Sequence, residues 1–309
     1  MAELETKQLA LSDNAARQLA NATKTVPQLV TISPRWLVHL LPWVGVEAGI
    51  YRLNRVKDES RVLTACSQRD ESELPETFVD YDENPREYFL SAVTTTVDIH
   101  TRVSDLYSSP HDQIQQQLRL AIETIKERQE DELINNPEYG LLNNIEPEQK
   151  LKPLTGAPTP DDLDELIARV WKEPAFFLAH PKAIAAFGRE ATRRGVPPPT
   201  VNLFGSPFLT WRGLPLVPSN KLKIQGGKTS ILLLRTGEAR QGVVGLYQPG
   251  LPGEQGLGLS VKFMGISRKA ISSYLISLYC SLAVLTEDAI GVLEDVDVGK
   301  YHDYQHQYK

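Results

Sequence analysis

The sequence predicts an α+β fold in which helices gather in the middle of the chain and strands crowd its C-terminal half. Three observations carry this. Between Asn202 and Val298 short apolar runs follow one another, divided by turns. Phe208–Trp211 and Leu214–Val217 flank Arg212-Gly213, which suits a tight hairpin, and Ser230–Leu234 and Val243–Tyr247 flank a turn holding Gly237 and Gly242. Within that region residues 274–284 alternate. Tyr274, Ile276, Leu278, Cys280, Leu282 and Val284 face one way, with Leu275, Ser277, Tyr279, Ser281 and Ala283 opposite. At about 3.3 Å per residue this makes a strand of roughly 35 Å. Third, Ser109-Pro110-His111-Asp112 and Thr159-Pro160-Asp161-Asp162 each place a hydroxyl cap, a first-turn proline and an acid ahead of apolar residues at helical spacing.

Taken in order, residues 3–23 are expected to form an amphipathic helix with Leu4, Leu11, Ala15, Leu19 and Ala22 near one stripe, too thin and alanine-rich to hold without a partner surface. Pro27 breaks it. Ser33-Pro34 starts a second short helix, serine at the cap and proline in the first turn, which Pro42 ends. An apolar N-terminal segment with little self-contact fits a neighbouring subunit. From Gly49 to Val97, strand-like runs (Ile50–Val56, Val62–Cys66, Phe89–Val97) surround an acidic segment, Arg69 to Glu87, with eight acids, two bases and the prolines Pro75 and Pro85. Such a segment cannot bury itself and reads on its own as a solvated loop. A long helix follows on Ile114, Leu118, Ala121, Ile122 and Ile125, ending near Leu133 before Asn135-Asn136-Pro137. Residues 139–158 are a connection. Leu163, Leu166, Ile167, Val170 and Trp171 make the next helix, stopped by Pro174; Ala175–Ala179 is a buried strand. Pro181 opens a helix with Ile184 and Phe187 inward, closed by Arg193-Arg194-Gly195, cations at the negative end and glycine beyond the last turn. Gly250–Gly258 is a glycine-rich surface loop, and Tyr301–Lys309 a polar tail.

Composition narrows the function classes. A chain of 309 residues makes one or two domains and can bury a sizeable core. Its net charge of −6 argues against a dedicated nucleic-acid binder. Two cysteines, Cys66 and Cys280, support neither a disulfide framework nor a cysteine zinc site and fit a reducing cytoplasm. Residues 1–10 carry no signal-peptide core. The apolar run from Trp36 to Ile50 contains His39, Pro42, Gly45 and Glu47 and is shorter than the ~20 residues of a membrane helix, so it reads as a buried or intersubunit segment.

Converging chemistry is scarce. Gly226-Gly227-Lys228-Thr229 imitates the end of a phosphate loop, but Leu222 stands where that motif requires glycine, so a hairpin turn is expected. Gly253, Gly256 and Gly258 do not make a dinucleotide fingerprint. His302 and His306 sit four apart without a third ligand; His39, His100, His111 and His180 are scattered and join no nucleophile motif. Asp161, Asp162, Asp164 and Glu165 read as helix N-terminal charge. Nothing activates Cys66, and Cys280 lies on the apolar face of its strand. No catalytic, cofactor or metal site is predicted, and the chain is not expected to be an enzyme.

The order of pieces is more informative. Phe204-Gly205-Ser206-Pro207, then Gly213-Leu214-Pro215-Leu216-Val217-Pro218-Ser219, then Ser230-Ile231-Leu232-Leu233-Leu234-Arg235, then a long return strand closing on residues 286–293 resembles the C-terminal half of Hong-Kong-97-type phage capsid proteins. Within that superfamily nearly the whole chain resembles the Family 2A encapsulin shell proteins. These are bacterial nanocompartment proteins once described as major membrane proteins and linked to sulfur limitation.

The resemblance implies the Hong-Kong-97-type fold: an N-terminal arm over 1–48, an E-loop over 49–97 reaching across a neighbour, and a P-domain over 98–155 with its spine helix at about 110–134. An A-domain over 156–262 follows, then return strands and a tail over 263–309. It implies self-assembly into a closed icosahedral container of on the order of sixty copies, with a cargo protein inside and neither nucleic acid nor membrane as partner. The implied cargo is a cysteine desulfurase docking by a disordered segment, its pyridoxal phosphate bound to the cargo and not to this chain. The setting is cytoplasmic. Because A-domain loops line the five-fold axis in relatives, Gly195, Val196 and Pro197 on one turn and Lys221, Lys223 and Lys228 on another are the candidate pore residues; the cargo-binding residues are unassigned. The alternatives are a phage-type capsid protein enclosing DNA, disfavoured by the lack of an obvious scaffolding or cleaved N-terminal region, and a peripheral membrane protein anchored through residues 36–50.

Overall fold

A computed structural model describes residues 30–57, 62–64, 75–100 and 113–301, together with Ser12, Asn14 and Ala15. One long strand organises half of it. β14 (Ile271–Val284) pairs antiparallel with β4 (Ser91–His100) along one edge, from Ile271↔His100 to Cys280↔Ser91. It also pairs with β13 (Leu259–Ile266) and, nearer its end, with β11 (Val243–Tyr247). β1 (Trp43–Gly45) adds to β11 in parallel, and β12 (Glu254–Gly256) adds to β13, completing six strands. The strand expected over 274–284 is present, but in its second half both faces are buried, Ser281 and Ala283 as well as Leu282 and Val284. Ile276, Leu278 and Cys280 are buried against Ile125 of a long helix, α2 (Gln113–Asn135), whose α1 predecessor is the short Trp36–Leu40.

The second sheet has seven strands in the order β5 (Lys150–Leu151), β15 (Ile290–Asp297), β10 (Lys228–Leu234), β6 (Phe176–Ala179), β9 (Leu214–Pro218), β8 (Ser206–Trp211) and β7 (Thr200–Leu203). Its centre is covered on both faces, so β6 is apolar without alternation. Leu178, Leu232 and Leu234 join a core with Leu37 and Leu41 from the N-terminal segment and Leu133 and Ile134 from α2. Phe177, Ile231 and Leu233 face α3 (Pro160–Arg169) and α4 (Pro181–Arg193) through Leu163, Leu166, Ala183 and Phe187. α3 starts where the sequence places it: Thr159 and Asp162 form a reciprocal capping box. α4 is capped by His180, whose Nδ1 accepts from the Lys182 N–H.

Several expectations are corrected. Ser33 does not cap α1. The helix is entered through Arg35 at φ 50° without a side-chain cap, while the Ser33 N–H and Oγ–H both donate to the Glu127 carboxylate on α2. A charged acceptor nearby outcompetes the cap. The expected lack of self-contact over the first fifty residues fails for their second half, because Leu37 and Leu41 are fully buried in the chain's own core. Residues 62–64 are not a strand; Val62 and Leu63 are exposed, and Leu63 is held by the Thr77 side chain. The strand expected from Phe89 breaks at Leu90 into β3 (Arg86–Phe89) and β4. Trp171 is exposed, because Val170 leaves helical geometry at φ −101° and ψ 44° before the apolar stripe reaches it. Residues 139–158 contain two short 3-10 turns and β5, and the 250–258 loop contains β12. β1, β7 and β13 were not foreseen. The helix expected over residues 3–23 (save Ser12, Asn14 and Ala15), the 109–112 cap, Cys66, His111, His302 and His306 lie outside the described residues.

Candidate assembly surfaces

Residues 50–57 and 80–89 form a two-stranded arm. β2 (Ile50–Leu53) and β3 pair antiparallel, and the ribbon continues through the Val56↔Tyr81 bridge, with the Lys57 N–H donating to Asp80 and the Asp82 N–H to Arg55. Its base is tied to the body. The Tyr51 hydroxyl donates to Glu238 at 2.9 Å, Arg55 meets Glu287 at 3.4 Å, and the buried Tyr88 donates to the Val284 carbonyl. Burial, then the Glu238 carboxylate, push the Tyr51 phenol up to about 12, so it stays a donor at neutral pH. Further out, Val56, Val62, Leu63, Phe78, Val79 and Tyr81 are all exposed, Phe78 at 84%. A two-stranded ribbon with no core of its own is marginal in water, and a row of bare apolar side chains on it marks a surface awaiting cover.

Beneath the arm lies a groove of about 640 Å³, with Tyr51, Arg55, Lys172, Glu238 and Asp288 among its walls. Behind it Arg235, with none of its side chain exposed, meets the Asp288 carboxylate at 2.6 Å and donates to the Thr286 hydroxyl at 2.6 Å. Burial alone would raise the Asp288 pKa; the hydrogen bonds from Arg235, Thr286 and Lys172 win and hold it well below the usual range.

The N-terminal segment is anchored on α2. Arg35 meets Glu123 at 2.7 Å and Glu127 at 3.2 Å, and Lys221 meets Glu127 at 2.7 Å. One turn on, Glu130 is buried and accepts from the Ser219 hydroxyl. Burial raises the Glu130 pKa, whereas at Glu127 it is outweighed by Lys221 and Ser33, which lower it.

The two candidate pore turns are not brought together. Gly195 (φ 80°) closes α4, followed by exposed Val196 and Pro197. Lys223 and Lys228 are exposed, but Lys221 is half-buried with its ammonium committed to Glu127. Gly226 and Gly227, at φ 56° and 78°, form the expected two-residue hairpin turn, Gln225 and Lys228 exchanging both backbone bonds. β6 and β9 are parallel, so Lys221 follows the same end of the sheet at which α4 begins. With 13 residues, α4 carries Gly195 about 20 Å back toward the other end. Phe204, the first residue of the Phe204-Gly205-Ser206-Pro207 motif, is exposed at φ 52° on the β7–β8 turn, its ring 5.8 Å from that of Trp36.

Elsewhere the acidic cluster is structural: Asp162 completes the capping box, and Asp164 accepts from Trp211 at 2.7 Å and pairs with Arg212 at 2.7 Å. Burial pushes the Cys280 thiol up to about 12. Among the described residues no three His, Cys, Asp or Glu side chains gather to hold a metal, and no helix is long and apolar enough to cross a membrane.

This arrangement, with an anchored N-terminal segment, a projecting two-stranded arm, a long helix under a long-stranded sheet and a second sheet flanked by two helices, is the Hong-Kong-97-type fold of capsid-forming proteins. The Microbacterium phage Oxtober96 structure superposes with a TM-score of 0.60 at 11% identity, over 91% of this chain and 98% of that one. Residues 50–300 match the family described as SrpI-like Type 2A encapsulin shell protein. The Type 2A encapsulin shell protein SrpI of Synechococcus elongatus is 74% identical over 299 residues, covering 97% of this chain and 98% of its own. The holo-SrpI encapsulin complex from Synechococcus elongatus PCC 7942 gives a TM-score of 0.84 at 70% identity, over 96% of this chain and all of that one. The chain belongs to the SrpI-like family of Type 2A encapsulin shell proteins.

Proposed function

We propose that this chain is a shell subunit that assembles with copies of itself into an icosahedral nanocompartment, and that the compartment encloses a cysteine desulfurase serving sulfur metabolism in the bacterial cytoplasm. The observation that carries the shell is the arm. Its outer half places apolar side chains in solvent while its base is fixed to the body by Tyr51, Arg55 and Tyr88, so its cover must come from another molecule. A repeated, heterologous contact of this kind closes into a shell or grows into a filament. Membership of a shell-protein family favours closure.

The remaining assignments follow that reading. Residues 1–48 are the N-terminal arm, anchored from Ser33 onward; 49–97 the E-loop; 98–155 the P-domain; 156–262 the A-domain; 263–309 the return strands and tail. The desulfurase's pyridoxal phosphate rests with the cargo. Gly195, Val196 and Pro197, or Lys223 and Lys228 at the other end of the sheet, border the pores. Lys221 serves the Glu127 anchor instead.

The chain expressed alone is expected to elute at megadalton size by light scattering and to appear as hollow particles by electron microscopy. A monodisperse monomer or dimer at neutral pH overturns the shell. Co-expression with the organism's cysteine desulfurase is expected to yield filled particles with pyridoxal-phosphate absorbance. Particles that exclude it remove the cargo assignment, and particles packed with DNA move the chain to the capsid reading.

A further inference from the structure

The anchor beneath the N-terminal segment holds one more acid than its cations answer. Arg35 and Lys221 close on Glu127, and Arg35 and Lys126 on Glu123. Arg128, the next cation along α2, meets Asp131 and Glu132. None of them pairs with Glu130. That residue is 1% exposed; its Oε1 accepts from the Ser219 hydroxyl at 2.9 Å, and its Oε2 has no hydrogen-bond partner among the described residues.

Three elements bring groups to Glu130. α2 itself brings Glu127, a like charge. The β9–β10 connection brings the Ser219 hydroxyl and Lys221, whose ammonium already sits 2.7 Å from Glu127. α1 brings the Leu37 N–H, which draws on the carboxyl without reaching hydrogen-bond geometry. The one titratable side chain of α1, His39, is exposed with its ring against Trp36. Leu37 shares a core with Leu133 and Ile134 of α2, so the N-terminal segment is part of the lid that keeps Glu130 from water.

A lone carboxylate out of water costs far more than a neutral acid with one unpaired O–H in the same place, and such a group takes up a proton instead. Ser219 suits either form. Its oxygen accepts from the Lys221 N–H at 3.3 Å, which leaves its own proton for Glu130. Burial raises the Glu130 pKa; Ser219 and Lys221 reduce the rise, and Glu127 adds to it.

We propose that Glu130 is a proton-operated clamp on the N-terminal segment, which closes on α2 with Glu130 neutral and loosens as Glu130 ionises. The sign is fixed by the direction of the shift. A folded value above the unfolded one, about 4.3 for glutamate, gives stability that is complete below the unfolded value and lost as pH rises through the folded one. Glu127, held low by Lys221 and Ser33, has the opposite sign, so a variant at Glu130 is needed to separate them. On the shell reading, what loosens is the root of the N-terminal arm; the clamp itself works in a single subunit.

The test is Glu130→Gln in the full-length chain, which keeps the shape of the neutral acid and cannot ionise. Hydrogen exchange at the 37–41 amides is followed against pH in both proteins, so that the intrinsic pH dependence cancels in their ratio. Protection in the variant relative to wild type is expected to climb from about pH 4 upward and to level off at about tenfold for each unit between the folded and unfolded values. A purely structural role for the side chain shifts the ratio equally at every pH. A ratio that is flat, or that falls as pH rises, overturns the clamp, because Glu130 is then at ease with its charge. If the variant misfolds, infrared spectroscopy of unaltered protein decides. Glu130 is the one carboxyl with a raised pKa among the described residues, so a carboxylic-acid carbonyl band that titrates above about pH 5 is expected. Its absence overturns the proposal.

Discussion

At the scale of single residues, stability here turns on charges taken out of water with their partners. Arg235 has no exposed side-chain surface, and its guanidinium is answered by Asp288, Thr286 and the Gln241 carbonyl. Such a pair contributes little beyond a well-packed apolar substitute, but breaking it leaves a buried charge uncompensated. Asp288→Asn is therefore expected to destabilise the subunit by about 3–5 kcal/mol in denaturant titrations at pH 7, with Arg235→Met/Asp288→Leu recovering most of the loss. The pH dependence has a definite sign. Asp288's folded pKa is depressed, so its contribution is complete above the unfolded carboxyl value of about 4 and fades as pH falls through the lower folded value. The single variant should thus stay weaker than wild type throughout neutral and mildly acidic solution, the two converging only in strong acid. A difference that vanishes already at pH 5 would show that Asp288 is not held in its charged form.

At the scale of elements, what could be read from the sequence was what is specified locally. α3 begins at Thr159 because hydroxyl, proline and acid stand at the first helical positions. Both reciprocal bonds of the box are formed, and the Thr159 side chain is fully buried. Thr159→Ala is expected to cost about 1–2 kcal/mol, read as a lowered subunit melting temperature with the sheet unchanged by dichroism. β14 was legible for a similar reason: it is long, and one face meets α2, so alternation survives. β13 hid because its distal half buries neither face, leaving Lys262, Phe263, Met264 and Ile266 without a period. β1 hid because three residues pair in parallel with a strand two hundred positions away. Ser33 misled because a cap and an anchor use the same hydroxyl, and only the position of Glu127 decides between them. The relation between the two candidate pore turns was hidden in the same way. Each is a correct turn in sequence, but their placement at opposite ends of the sheet follows from the parallel β6–β9 pairing, which no local signal reports.

At the scale of the whole molecule, the shell reading predicts that the division between what the subunit completes alone and what its copies complete falls near Ser33. Among the described residues the four apolar cores draw on the N-terminal side from Trp36 onward. Among the described residues Ser33 and Arg35 are the first to grip α2, and Val30 just before them is fully exposed. The stripe that the sequence places on residues 3–23 is too thin to hold without a partner surface, and the shell reading puts that surface on a neighbouring copy. Deleting residues 1–30 is accordingly expected to leave the dichroism and melting of dissociated subunits nearly unchanged while weakening assembled particles. The midpoint of denaturant-induced particle dissociation should fall, and the subunit fraction rise, by light scattering. Deleting residues 1–36 in parallel should damage both, because it also removes the Ser33–Glu127 and Arg35–Glu123 anchors and Trp36, which packs 5.2 Å from Phe208. If the shorter deletion yields particles of wild-type resistance, the first thirty residues are not part of the shell contact. If it lowers subunit melting as far as the longer one, they belong to the subunit's own fold, and the boundary at Ser33 is wrong.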